Sequence, residues 1–432
     1  MTQALNPAVE IPEGEARGGY AAAAQRLLNF VLFITVLASS VVLVEPSPHD
    51  ALMCVLLLMC VVARVRFDRK IIPLLVLLIV WLMGGFLSLI QVGDQAKPIQ
   101  YMATSVYLAI AAVMFACLFS DGNLARLAIV RRAYIIAALI ASAAGCVSFF
   151  HLLPGADVLL PPDRVRGTFK DPNVYGPFLI YPLLLLIIGL MTRGVRLGSL
   201  VAVTVLLAGL FLGFSRGAWG HFAVSASVCL IILVTIAPNA HMRTRIVLFS
   251  IAIAAVAVLL LTALLSVGFI HDLFVERAHV FQAYDVGPGG RFTEQRHAPG
   301  LILDHPNGIG PFSFASMFGD DPHNVYIQSF VVYGWLGGAA YLTLVTTTLL
   351  LGLRVLTVPS PWQYYLIAAY ATFVGEAGEG FVIDSDHWRH FFLLLGLIWG
   401  LTTATVNLRR TDSMRPMFEC RAVGPPHQRQ KR

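Results

Sequence analysis

Charged side chains are scarce in this sequence. Asp, Glu, Lys and Arg make up 12% of its 432 residues, against 57% hydrophobic ones, and a chain with so little charge cannot cover itself in water as a soluble globule does. Strict alternation is also missing from the apolar runs, which excludes a transmembrane β-barrel. Cysteine is rare: Cys54, Cys60, Cys117, Cys146 and Cys229 fall in apolar runs and Cys420 near the C-terminus. That leaves no thiol in the outer connections for a disulfide or thiolate metal framework, and the cysteines read as small hydrophobes. Internal repeats, low-complexity tracts and a βαβ nucleotide-binding pattern are absent as well.

What is present is a succession of apolar stretches about as long as a bilayer is thick, which only helices can carry through lipid without orphaning backbone groups. Twelve spans are expected, near 27–44, 50–63, 71–90, 101–119, 132–153, 174–191, 198–215, 217–237, 246–267, 324–353, 363–380 and 388–406, the second being short. The fold class is therefore all-α, a polytopic membrane protein of about twelve transmembrane helices with one large outer loop. Residues 1–26, polar and bearing Glu10, Glu13 and Glu15, read as a cytosolic tail and not a cleaved signal peptide. Residues 407–432 read as a basic cytosolic tail.

With the N-terminus inside, only nine of the 30 Lys and Arg fall outside: Lys97, Arg164, Arg166, Lys170, Arg216, Arg277, Arg291, Arg296 and Arg389. This bias follows the positive-inside rule, so the net charge of +6 is a topology signal. The basic tail suits the anionic inner leaflet, and nothing points to nucleic acid. Because topogenesis disfavours outer cations, those nine are candidates for local work. Several lie on the two long outer connections, 154–173 and 268–322, where function concentrates. In the second, DLFVERAHVFQAY spaces Leu273, Phe274, Ala278, Phe281 and Tyr284 as a helix lying on the membrane surface would.

Four segments carry polar chemistry. RVRGTFKDPNVYG joins Arg164, Arg166 and Lys170 to a helix start at which Asn173 is the expected N-cap. It reads either as a capped helix with solvated cations or as an anion site, since guanidinium forks and a helix N-terminus both favour phosphate oxygens. GFSRGAWG contains G-x-S-x-G, but both flanks are membrane spans and not the strand and helix of a nucleophile elbow. What remains is Arg216 at the tip of a hairpin close to hydrocarbon, a costly place for a charge without a task. HPNGIGPFSF reads as a structural loop, His305 included. Asp384, Ser385, Asp386, His387 and His390 read as a polar span boundary in preference to a metal site. Finally, His323 and Asn324 precede Gly334, Gly337 and Gly338. Eleven residues make about three helical turns, so His323 and Gly334 are expected on one face, with the glycines admitting a neighbouring helix. Histidine titrates near neutrality, which suits a general base.

RVRGTFKDPNVYG, GFSRG, GRFTEQR with LDHPNGIGPFSF, and His323-Asn324-x9-Gly334-x-x-Gly337 together resemble the O-antigen ligase and O-antigen polymerase superfamily of bacterial inner membranes. The last is similar to the His-(Asn/Ser/Gln)-x9-Gly-x-x-(Gly/Thr/Tyr) signature of ligases and bacterial O-linked oligosaccharyltransferases. The resemblance covers roughly residues 27–406 and implies glycan transfer at the periplasmic face. The donor it implies is a glycan on undecaprenyl diphosphate. The acceptor is a sugar hydroxyl of lipid A-core or, in a polymerase, of a second lipid-linked glycan. No cofactor or metal is implied, and a chain-length regulator is a possible partner beside membrane lipid.

The family's loop histidine maps to His323 and its span-edge arginine to Arg216. The arginine of its loop helix maps to Arg291, with Arg296 as rival because Pro299 interrupts the expected helix. In this reading His323, Arg216 and Arg291 are catalytic. Arg164, Arg166, Lys170, Asn173, Asn324, Arg296 and Arg389 bind substrate. A transporter would need ionisable groups within spans. Few are found, Glu376 and Glu379 lying toward the outer end of theirs.

Overall fold

Lipid offers the backbone no hydrogen-bond partner, so a long apolar stretch must close its own ladder. Each of the twelve expected segments is a helix. The computed structural model describes residues 13–43, 46–154, 164–278, 287 and 290–422; the side chains of 13–18, 291 and 412–422 fall outside that description. In order the helices are α1 (Glu13–Ala38), α2 (Pro48–Val62), α3 (Ile72–Leu89), α4 (Ala96–Phe119), α5 (Leu124–Phe149), α6 (Pro172–Arg193), α7 (Leu197–Leu212), α8 (Arg216–Ile236) and α9 (Ala240–Leu265). Then come α10 (Gly268–Ala278), α11 (Arg291–Glu294), α12 (Ala298–Asp304), α13 (Ser313–Phe318), α14 (Val325–Val355), α15 (Gln363–Glu379) and α16 (Arg389–Ala422). The described residues contain no β-strand.

Among them, nine helices are long and apolar enough to cross a membrane, α2 and α7 being shorter apolar helices and α15 having 17 residues. The chain is thus an all-α, multi-pass membrane protein. Two boundaries differ from expectation. Helix α1 begins inside the segment read as a tail, where YAAAAQRLLN supplies strong helix formers, and α16 continues past the apolar run to Ala422.

The most extensive helix pairs are α3 with α14, α4 with α16 and α8 with α15. Small residues thin each interface, as packing in lipid requires. Gly84 of α3 lies against the backbone of Tyr333 and Gly337, and Gly396 and Gly400 of α16 against α4. The glycines after His323 therefore admit a neighbour, as their spacing implied. Trp81 fills the α3–α14 seam, its ring 4.8 Å from that of Tyr333. Helix α9 buries only Ile246 and turns nearly all of its surface outward, as a lipid-facing helix does.

Helix α14 is broken. Gly334 has φ 66° and ψ −170°, a backbone region essentially reserved for glycine, so His323 and Gly334 do not lie on one continuous helical face. The break separates the Trp335 N–H from the Val331 carbonyl, its partner in an intact ladder. The HPNGIG loop repairs both halves: Trp335 N donates to Pro306 O at 2.9 Å, and Ile309 N donates to Val331 O at 2.9 Å. Trp335 Nε1 adds a bond to Ile302 O at 2.7 Å. Around this joint, Ala298, Ile309, Phe314 and Val331 form a small core of their own. HPNGIG is thus the structural loop expected, and it clamps residues 298–318 to α14.

Substituting Gly334→Ala should destabilise the protein by at least about 1–3 kcal/mol, the cost of such a conformation for a residue with a Cβ, and the added methyl also meets Pro306 and Asn307. Thermal unfolding in detergent checks this. Gly378→Ala, whose new methyl would meet nothing within 4 Å, should melt like the native chain.

Candidate functional site

The polar residues gather at one end of the bundle, where α2, α4, α6, α8, α14 and α16 begin. The connections there are tied together. Val42 N donates to Thr168 O at 2.9 Å, Val165 N to Leu212 O at 3.0 Å and Val325 N to Gly380 O at 2.8 Å. The Thr168 hydroxyl also donates to Ser40 O. Helix N-termini favour anions through their dipoles, and six of them open on this side.

His323 occupies the turn into α14 with φ 49°, in the left-handed region that a residue with a Cβ avoids. Asn324 forces the helix to start there: its side-chain oxygen accepts Tyr326 N and Ile327 N at 3.1 Å. That oxygen caps the helix, a structural task the sequence assignment to substrate binding did not include. The imidazole lies between two carboxylates, Nε2 being 2.9 Å from Asp320 Oδ2 and Nδ1 3.8 Å from Asp384 Oδ2. Asp320 is 61% exposed and Asp384 only 19%, so Asp384 is the fixed partner and Asp320 the yielding one.

Behind Asp384 lies Asp386, whose Oδ2 accepts the Tyr101 hydroxyl at 2.7 Å and stands 3.2 Å from His387 Nδ1. His387 Nε2 is in turn 3.0 Å from Ser105 Oγ. Burial, together with the negative charge of Asp386 and Asp321, pushes the Asp384 carboxyl well above the usual carboxylate range, against the N–H groups of Asn324 and His323 that oppose it. Burial also acts on Asp386, but His387 beside it and the hydrogen bonds from His387 and Tyr101 hold its carboxyl below that range. Two neighbouring carboxyls are thereby driven in opposite directions, a pattern that separates proton-holding from charge-holding roles. The D-x-D string read as a span boundary is therefore the inner wall of the histidine site. The signal was its proximity in sequence to a span start; what hid it was the separation of Asp384 from His323 by the whole of α14 and α15.

Arg216 opens α8, half-buried, immediately after Ser215, whose hydroxyl accepts Ala218 N at 3.4 Å as the N-cap. A capping serine between two helices confirms that GFSRG is no nucleophile elbow. Phe214, at φ 45°, is a second left-handed non-glycine residue, so the turns carrying Arg216 and His323 are both strained. Helix α10 packs Phe274 on Trp219 of α8, rings 5.8 Å apart. This realises the first part of the expected surface helix, while Phe281 and Tyr284 lie outside the described residues.

The remaining assignments divide. Helix α11 begins at Arg291, a 3₁₀ turn over 295–297 follows, and α12 takes Pro299 into its first turn. Proline is tolerated there because the N–H it lacks would be unpaired anyway. Arg296 is exposed on the 3₁₀ turn and its Nε donates to Thr293 O at 3.2 Å. The adjacent Gln295 donates to Pro322 O at 2.7 Å, which ties this segment to the turn bearing His323. Asn173 is not the N-cap of α6. Asp171 is, accepting Asn173 N at 2.8 Å, because Pro172 occupies the first helical position and puts the cap two residues earlier.

Arg166 donates to Lys170 O at 3.0 Å and so shapes its own loop, with Arg164 half-buried and Lys170 exposed beside it. Arg389 makes a bidentate pair with Asp50 at 2.8 and 2.7 Å. The pair clasps α16 to α2. A narrow cleft, walled in part by Phe169, Val174, His387, Trp388, Arg389 and His390, runs between the 164–171 loop and the start of α16.

Residues 200–342 match the family model described as O-Antigen ligase. The match contains Arg216, Arg291, Arg296, His323 and Asn324 and supports the O-antigen ligase and polymerase superfamily, hence an enzyme of that type handling lipid-linked glycans in a membrane. No curated protein matches the chain.

Because the Asp384 carboxyl is held above its usual range, ionising it at neutral pH works against folding, and its favourable contribution is complete only below about 3.8, its ordinary value. Asp384→Asn should therefore melt higher than the native chain at pH 8, with the difference shrinking as pH falls toward that value. A melting curve that shifts the other way contradicts the carboxyl environment described.

Proposed function

We propose that the chain transfers a glycan from undecaprenyl diphosphate to a sugar hydroxyl of lipid A-core at the periplasmic face of the bacterial inner membrane. The observation that carries this reading is His323, held between a buried and an exposed carboxylate at the same end of the bundle as Arg216 and a ring of helix N-termini. A lipid diphosphate is already a good leaving group, so the enzyme must chiefly orient the acceptor and stabilise charge as the bond breaks.

The acceptor hydroxyl displaces Asp320, together with the proton of its contact with His323 Nε2, to solvent, while Asp384, 3.8 Å from Nδ1, lines the other side of the ring. Nε2 takes the hydroxyl proton while the acceptor oxygen bonds to the anomeric carbon. The bond from that carbon to the phosphate oxygen breaks, and its electron pair leaves on the diphosphate. Arg216 and Arg291 neutralise that charge without a metal, with Arg296 as the alternative for the second. Arg164, Arg166, Lys170 and Asn173 shape the donor approach along the 164–171 loop.

A polymerase using a second lipid-linked glycan as acceptor would employ the same groups. The ligase is favoured by the His323-Asn324-x9-Gly334 pattern, and a chain-length regulator belongs to either reading.

His323→Ala should lower transfer by purified protein about 10²- to 10⁴-fold, as loss of a general base does. Lipopolysaccharide from a deletion strain, run beside its extracted lipid-linked saccharides, separates the two acceptors. Core lacking any repeat, with long chains retained on undecaprenyl diphosphate, is the expected result; core capped by a single repeat identifies a polymerase.

A further inference from the structure

Below the site, α8 and α15 enclose ionisable groups that the proposed chemistry does not use. His221 and Glu379 are almost fully buried, their side chains 0% and 2% exposed. His221 Nδ1 is 2.8 Å from Glu379 Oε2, and its Nε2 is 2.9 Å from Thr372 O. A carbonyl oxygen only accepts, so Nε2 must carry a proton. The second proton is then shared between Nδ1 and Oε2, as an imidazolium beside a carboxylate or as a neutral pair. In both forms one imidazole of α8 grips α15 at two places seven residues apart.

Glycine brings the grip close. A Cβ on Gly217, the residue after Arg216, would stand 2.7 Å from Glu379 Oε1, and one on Gly375 would stand 2.8 Å from His221 O. Glu379 thus lies directly against the first turn of α8. It is also the last residue of α15, and the residues that follow it hold the histidine turn: Gly380 O and Ile383 O both accept Val325 N, at 2.8 and 3.2 Å, and Asp384 faces His323. One end of one helix therefore meets both halves of the site.

We propose that the Glu379–His221 pair is a positioning device that fixes the start of α8, and with it Arg216, against the turn carrying His323. The proposal rests on the transferase reading above. It makes hydrogen-bonded geometry, and not charge, the property that matters. Glu379→Gln retains it, since the amide N–H can donate to Nδ1 while Nε2–H stays on Thr372 O, whereas Glu379→Ala and His221→Ala release α8. Displacements of about 1 Å at a catalytic group cost up to 10²-fold in rate.

The test uses full-length protein in detergent, with lipid-linked saccharide extracted from the deletion strain as donor and repeat-free lipopolysaccharide as acceptor. Expected are a fall in kcat of about 10- to 100-fold for Glu379→Ala and for His221→Ala, an unchanged acceptor KM, and Glu379→Gln within about 3-fold of native. In the Arg216→Ala background, Glu379→Ala should add little further loss, because a residue acting through another is not additive with it. Native kcat in Glu379→Ala, a Glu379→Gln as impaired as the alanine variant, or fully additive losses with Arg216→Ala each overturn the proposal. His323→Ala run alongside keeps the two readings apart. If it transfers normally the transferase mechanism falls, and if it is inactive while Glu379→Ala is native only the positioning role falls.

Discussion

A backbone group inside a bilayer must find its partner within the protein, and this constraint organises the site end of the molecule. The break at Gly334 parts one donor and one acceptor of the α14 ladder, and both are recovered from the HPNGIG loop. That exchange ties the large loop to the helix that begins with His323. Because the bonds run between backbones, the loop cannot drift from α14 without orphaning two polar groups at the level of the break. The segment that leads into it also carries Gln295 onto Pro322, which ties residues 295–297 to the histidine turn.

Carboxylates, not cations, surround the histidine. Asp320, Asp321, Asp384 and Asp386 lie on two connections, 319–324 and 380–388, while the arginines occupy other loops. The strained φ values at Phe214 and His323 fall on the two turns where these groups meet the helices, and the packing of α8, α14 and α15 holds both turns in place.

Much of the fold was legible because its physics is one-dimensional. Apolar length marked the long helices, and glycine spacing marked the close α3–α14 approach. The break in α14 was not legible, since glycine after apolar residues reads equally as packing or as a kink, and only the arrival of residues 306–309 decides. Arg216 and His323 stood out as polar residues at span edges. Asp384 did not, because its meaning comes from a partner 61 positions earlier, and the D-x-D string looks like any wet helix boundary. The pairing of Arg389 was not legible either, because Asp50, which it grips, lies 339 residues away.

Helix α7 has a further consequence. Its 16 residues rise about 24 Å, short of the roughly 30 Å of hydrocarbon in a typical membrane. Thinning of the bilayer beside it is one way such a short helix is accommodated, and Arg216 follows only four residues after Leu212. Thinning there would bring headgroups and water closer to the guanidinium, and under the proposed transfer local membrane thickness, as well as the receiving side chains, would set the depth at which a lipid-borne diphosphate is met.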